Sequence, residues 1–95
     1  MAYVYILYSS TLDKYYIGST TYNPEERLRQ HNSLHYQNSF TSKGRPWKIF
    51  FLLKCSSKVQ ALSIERHIKK MKSKIYLRNL KAFPELTNKL LSIYQ

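Results

Sequence analysis

Two stretches decide the reading of this chain: Tyr3-Val4-Tyr5-Ile6-Leu7-Tyr8 and Tyr15-Tyr16-Ile17-Gly18-Ser19. Both are aromatic and β-branched, the composition that suits a pleated, half-buried strand. The polar residues 9–14 between them turn the chain, so the two stretches read as a β-hairpin. Gly18 ends the apolar part of the second strand and allows another backbone or a phosphate to come close.

Working outward, Asn23 is a good N-cap, Pro24 fits the first helical position, and Glu26 stands where a capping-box acid belongs. The helix they open is predicted to run to about Asn32, with Arg27 and His31 four apart on one face. Residues 33–46 form a long polar loop containing Tyr36, Phe40, Lys43, Gly44 and Arg45. Loops of that length in small domains are commonly functional. Residues 47–55, from Trp47 to Cys55, are apolar enough to be expected at the centre of the sheet. A second capping box, Ser57-Lys58-Val59-Gln60, opens a helix to about Lys72 with the apolar stripe Ala61, Ile64, Ile68 and Met71. Residues 73–81 continue as a helix with Ile75, Leu77 and Leu80 inward. Phe83-Pro84 ends it, and a last amphipathic helix carries Leu86, Leu90 and Ile93. The expected fold class is α+β, a small three-stranded, mainly antiparallel sheet flanked by helices.

The 95 residues make one domain, with a core at about 3–75 and a C-terminal helical extension at about 76–95. A monomer is expected. Sixteen Lys and Arg stand against five Asp and Glu, a net charge of +11, which favours an anionic partner. No run of about 18 apolar residues exists to span a bilayer, and the N-terminus lacks the basic segment and cleavage site of a signal peptide. Cys55 is the single cysteine, so neither a disulfide framework nor a thiolate zinc cluster is available, and a cytosolic setting is expected. A phenol, a guanidinium and an imidazole, without an acid cluster, point to phosphodiester chemistry on a nucleic acid.

Val4-Tyr5-Ile6 and Tyr16-Ile17-Gly18-Ser19-Thr20 resemble the two signature segments of the GIY-YIG nuclease superfamily. The resemblance continues through residues 27–32, Phe40-Thr41, Pro46-Trp47 and residues 61–70, and covers roughly residues 3–75. It is nearest to small stand-alone bacterial members, similar to the nuclease domain of structure-specific endonucleases without their second domain. The first segment keeps its tyrosine but not its glycine, and the interval from Tyr16 to Arg27 is one residue longer than usual. The C-terminal polar residue, an asparagine in some members, has no clear match here, and Asn79 is a candidate for it.

The resemblance implies that Tyr5 helps to activate a water with Tyr16 beside it, that Arg27 binds the scissile phosphate, and that Glu65 holds one divalent cation, Mg²⁺ or Mn²⁺. Magnesium commonly takes one or two carboxylates from protein and keeps its waters. Only about a thousandth of a free tyrosine is ionised at neutral pH, and a nearby guanidinium and metal would lower its pKa. His31 would assist proton transfer or contact phosphate. Each residue has a plainer role as well: strand tyrosines pack, Arg27 pairs with Glu26, and Glu65 pairs with Lys69 four residues on. Glu65 is nonetheless the single acid among eight Lys and Arg from Lys58 to Lys81, on the inward side of a basic helix.

Arg66, Lys69, Lys70, Lys72, Lys74 and Arg78 are expected to contact nucleic-acid phosphates. Lys43 and Arg45 interleave with Tyr36, Phe40 and Trp47 in a pattern that suits unpaired bases, although Trp47 also serves as an anchor of the loop to the core. Cys55 reads as a small buried hydrophobe, with a His31, His35 and Cys55 zinc site as a minor alternative. The expected function is a Mg²⁺-dependent DNA endonuclease for single-stranded or branched DNA in DNA processing or repair, with a protein partner as a conceivable director of the site. The alternative is a non-catalytic module that binds DNA, RNA or a ribosomal surface.

Overall fold

A computed structural model describes residues 1–33 and 43–95. Tyr36, Phe40 and His35, named above, lie outside the described residues. The elements are β1 (Ala2–Ser9), β2 (Lys14–Thr20), α1 (Pro24–His31), β3 (Lys48–Cys55), α2 (Lys58–Met71), α3 (Lys74–Ala82) and α4 (Pro84–Ile93). The fold is α+β, with an antiparallel sheet in the order β2-β1-β3. No helix of the described residues is long and apolar enough to cross a membrane.

The sheet corrects one expectation, since β1 and not β3 is the central strand. β1 carries no charged residue and is buried along nearly its whole length. β3 exposes Lys48, Leu52 and Lys54. Charged side chains of this kind suit an edge, where they discourage further pairing.

Successive side chains on β1 point to opposite sides, so the strand feeds two cores. Ala2, Val4 and Ile6 join Ile64, Ile68, Leu77, Leu80 and Leu90 in the larger one, beneath α2, α3 and α4. Tyr5 and Leu7 join Trp47, with Tyr16 and Leu28, in a smaller one on the α1 side. Trp47 is fully buried there, and Asn32 clamps it: Asn32 Nδ2 donates to the Trp47 carbonyl at 3.0 Å, and Trp47 N–H donates to Asn32 Oδ1 at 2.6 Å. Cys55 is buried in the larger core, on the other side of the sheet from His31, which leaves the zinc alternative without a shared site.

The helix caps follow the sequence with small changes. Asn23 Oδ1 accepts from the Glu25 N–H at 2.9 Å, while Glu26 pairs with Arg29 instead of closing a box. Ser57 Oγ accepts from the Gln60 N–H at 3.1 Å, and Gln60 Oε1 accepts from the Ser56 N–H at 2.7 Å. Gln60 Nε2 also donates to the Leu91 carbonyl at 3.2 Å, tying α4 to the start of α2.

Met71 and Ile75 are exposed, contrary to expectation. Lys72 takes a left-handed conformation (φ 47°) that ends α2, so Met71 sits in a last turn beyond the core. Ile75 lies two residues before Leu77, about 200° around the helix, and so faces away from it.

Candidate active site

The site is built around the absence of a side chain at Gly18. Tyr5 pairs with Gly18 across the β1–β2 ladder, and the hydroxyl end of its ring lies over the glycine. A Cβ added there would stand 2.5 Å from Tyr5 Oη and 2.6 Å from Cζ. The glycine therefore lets the phenol cross β2 toward the outer edge of the sheet. Tyr5 is 1% exposed, so this hydroxyl is a buried polar group that requires partners.

Helix α1 supplies them. His31 Nε2 is 3.1 Å from Tyr5 Oη, and the Arg27 guanidinium is close enough for its charge to act on the phenol. The four-residue spacing read from the sequence thus delivers both groups to one phenol. Gln30 Oε1 accepts from Arg27 Nη1 at 2.7 Å and steadies the guanidinium. The Tyr16 ring stands 4.8 Å from the His31 ring and 6.4 Å from that of Tyr5, closing the cluster on its far side. Arg45 Nε donates to the His31 carbonyl at 3.3 Å, so Arg45 holds the end of α1.

Arg27 lowers the Tyr5 pKa, as expected of a nearby guanidinium, but does not set its net direction. The Tyr5 pKa is raised, because burial of the phenol outweighs the lowering by Arg27. His31 is 3% exposed and packs behind Tyr5 and Tyr16. Burial first, and the Arg27 charge second, bring its pKa down to about 4 from the ordinary 6.5. The imidazole is therefore neutral at physiological pH.

This has a consequence for stability. The unfolded chain takes up the His31 proton near pH 6.5, while the folded protein resists it until about pH 4. The folded protein then binds fewer protons, so stability is complete above pH 6.5 and declines as the pH falls through this window. At pH 4.5 the loss from this residue is roughly 2–3 kcal/mol. Urea unfolding at pH 7.5 and 4.5 should register it, and His31→Gln should flatten the decline. An equal decline in the variant would assign the acid sensitivity to other groups.

Glu65 comes from the other side of the sheet. Ser19 follows Gly18 and points to the α2 side, where its Oγ donates to Glu65 Oε1 at 2.5 Å. Glu65 Oε2 pairs with Lys69 Nζ at 2.6 Å, the plainer role foreseen for it. The carboxylate side chain is 14% exposed and that of Lys69 51%. Glu65 is also close enough for its charge to act on the Tyr5 phenol. Site residues from both faces of the sheet therefore meet at the edge of β2.

Hard oxygen donors are what this corner offers, a carboxylate beside a serine hydroxyl. They fit a magnesium ion that keeps most of its waters, and Lys69 would have to yield Oε2 to it. Among the described residues no three His, Cys, Asp or Glu side chains gather as a metal cluster.

Ser19, Gln30 and Asn32 support the site through contacts that local sequence does not reveal. The signal for Ser19 was its parity with Tyr15 and Ile17, which places it on the α2 face. Lys43, Arg66, Lys69, Lys70, Lys72, Lys74 and Arg78 are all exposed. Lys74 is engaged with Asp13, at 2.7 Å to its carbonyl and 3.3 Å to Oδ2. Asn79 lies on α3 and makes no hydrogen bond to Tyr5, Arg27, His31 or Glu65.

The chain is 40% identical over 83 residues to a UPF0213 protein of Syntrophus aciditrophicus (strain SB), covering 87% of this chain and 93% of the relative. No solved structure matches. The sequence profile of the GIY-YIG catalytic domain matches residues 1–79, a span that includes Tyr5, Tyr16, Gly18, Arg27, His31 and Glu65, and the chain belongs to the GIY-YIG family.

Proposed function

We propose that this protein is a metal-dependent endonuclease that hydrolyses phosphodiester bonds in single-stranded or branched DNA. The observation that carries the reading is the meeting of Tyr5, His31 and Arg27 from one sheet face with Glu65 from the other, at a single strand edge. In this reading Tyr5 accepts a proton from an attacking water while its own proton passes to the neutral His31, and the contact between Tyr5 Oη and His31 Nε2 supports that relay. Arg27 holds the scissile phosphate and offsets the charge that grows on it, with Gln30 fixing its guanidinium. Tyr16 packs against His31 and keeps the imidazole in place. Glu65, positioned by Ser19, would hold a divalent cation, Mg²⁺ or Mn²⁺, which when bound supplies further positive charge at the phosphate.

The net charge of +11 supports a polyanionic substrate. Single-stranded or branched DNA suits a chain whose readable contacts are to backbone and not to a long base sequence. DNA processing or repair is the corresponding setting. The test is incubation of the wild type and Glu65→Ala with end-labelled single-stranded, duplex and flapped DNA in Mg²⁺, Mn²⁺ or EDTA. Cleavage is expected from the wild type alone and only with metal. Cleavage of none of these by the wild type overturns the reading.

One observation favours a second reading, a non-catalytic nucleic-acid-binding module. Both Glu65 oxygens are already engaged, one by Ser19 and one by Lys69. That reading expects equal, salt-sensitive binding by wild type and Glu65→Ala and cleavage by neither.

A further inference from the structure

Helix α2 runs beside β2 and antiparallel to it, and the seam between them carries a sequence pattern of its own. Lys58, Leu62, Glu65 and Lys69 follow one another at spacings of four, three and four along α2, which places them on a single face, and Lys72, just past the end of the helix, lines the same seam. Opposite them on β2 lie Ser19 and Thr20 at one end and Tyr15 and Lys14 at the other.

The seam opens into a cavity on each side of the Ser19–Glu65 contact. The first, of about 250 Å³, is lined by Ser19, Thr20, Thr21, Arg27 and Lys58 among others, so hydroxyls and two cations face it. The second, also about 250 Å³, has Tyr15, Ile17, Ile68 and Leu77 as an apolar floor and Lys14, Lys69, Lys72 and Lys74 around it. The first shares Arg27 and Ser19 with the candidate active site, and the second shares Lys69. Over the 14 residues of α2 the seam is about 21 Å long, enough for several nucleotides.

We infer that an unpaired DNA strand lies along the α2–β2 seam. Its scissile phosphate is at Arg27, a flanking phosphate sits on Lys58, and the strand continues on the other side of Glu65 over Lys69, Lys72 and Lys14. The inference rests on the proposed action on DNA and extends it by giving the strand a path. Charge complementarity fixes the occupant: each end of the seam is cationic, and the single carboxylate lies between them where the reaction would occur. The apolar floor of the second cavity favours an unstacked base, which a single strand can present and an intact duplex cannot. Lys74 is tied to Asp13 and serves as a wall, so Lys14 and Lys72 carry the test.

The full chain is titrated in EDTA against a fluorescent single strand of about 12 nucleotides, within the range of site sizes known for such binders. The double variant Lys14→Gln/Lys72→Gln is compared with Lys48→Gln/Lys54→Gln, a charge-matched change on exposed positions of β3. All four lysines are exposed, and thermal unfolding checks that both variants remain folded. Losing two phosphate contacts should lower the salt slope of binding by about 1.4, and the β3 pair should leave the slope at the wild-type value. Affinity in low salt is expected to fall about tenfold for the seam variant and at most about twofold for the control. Equal losses for the two pairs would overturn the path, as would tighter binding of a duplex of the same length. Cleavage is not read in EDTA, so seam-dependent binding without nuclease activity would sink the catalytic reading and leave the path standing.

Discussion

Tyr5→Phe is expected to reduce DNA cleavage by about 10²–10⁴-fold, the usual contribution of a positioned proton-transfer group, while leaving DNA binding in EDTA unchanged. The substitution deletes one oxygen and keeps the ring that lies over Gly18, so the packing of the smaller core is preserved. What it removes is the shared point of His31 and Arg27. His31 Nε2 then loses its Tyr5 partner in a buried site, at a cost of about 1–3 kcal/mol in stability. Single-turnover cleavage and urea unfolding measure the two effects separately. Cleavage within a few fold of wild type would show that Tyr5 is a structural tyrosine and nothing more.

Gly18→Ala tests the same atom from the other side. The new methyl would have to displace the Tyr5 ring, because a Cβ at 2.5 Å from Oη cannot be accommodated. Overpacking of this kind costs about 1–3 kcal/mol. The obstacle is the end of a side chain and not backbone, so the domain should fold with Tyr5 swung away from His31 and Arg27. Cleavage should then fall about 10²-fold, the penalty for a misplacement near 1 Å. Combining Gly18→Ala with Tyr5→Phe should add little further loss, since both remove one function. Independent, multiplying losses would mean that the glycine is needed for something else, such as close approach of the substrate.

Much of this architecture is legible in local pattern. The hairpin follows from two aromatic, β-branched runs around a polar turn, and α1 from Asn23 and Pro24. The Arg27–His31 pairing follows from helical spacing alone. These features depend on residues a few positions apart, where periodicity and capping chemistry act directly. The expectations for β3, Met71 and Ile75 fail because local apolarity does not set depth. Centrality of a strand is set by which partners it finds, and the inward side of a helix by where its neighbours lie.

The candidate site divides in the same way. The sequence by itself determined the identity of Tyr5, Tyr16, Arg27, His31 and Glu65, the face shared by Arg27 and His31, and the charge that calls for a polyanion. Only the tertiary structure decided that Tyr5 crosses Gly18, that His31 is a buried neutral base, and that Glu65 reaches the site from the opposite face through Ser19. The Ser19–Glu65 contact joins residues 46 positions apart, and no local rule orders such a pair. Burial, which outweighs the lowering of the Tyr5 pKa by Arg27, arises only when α1 closes over the sheet and removes the water that would have solvated the charge.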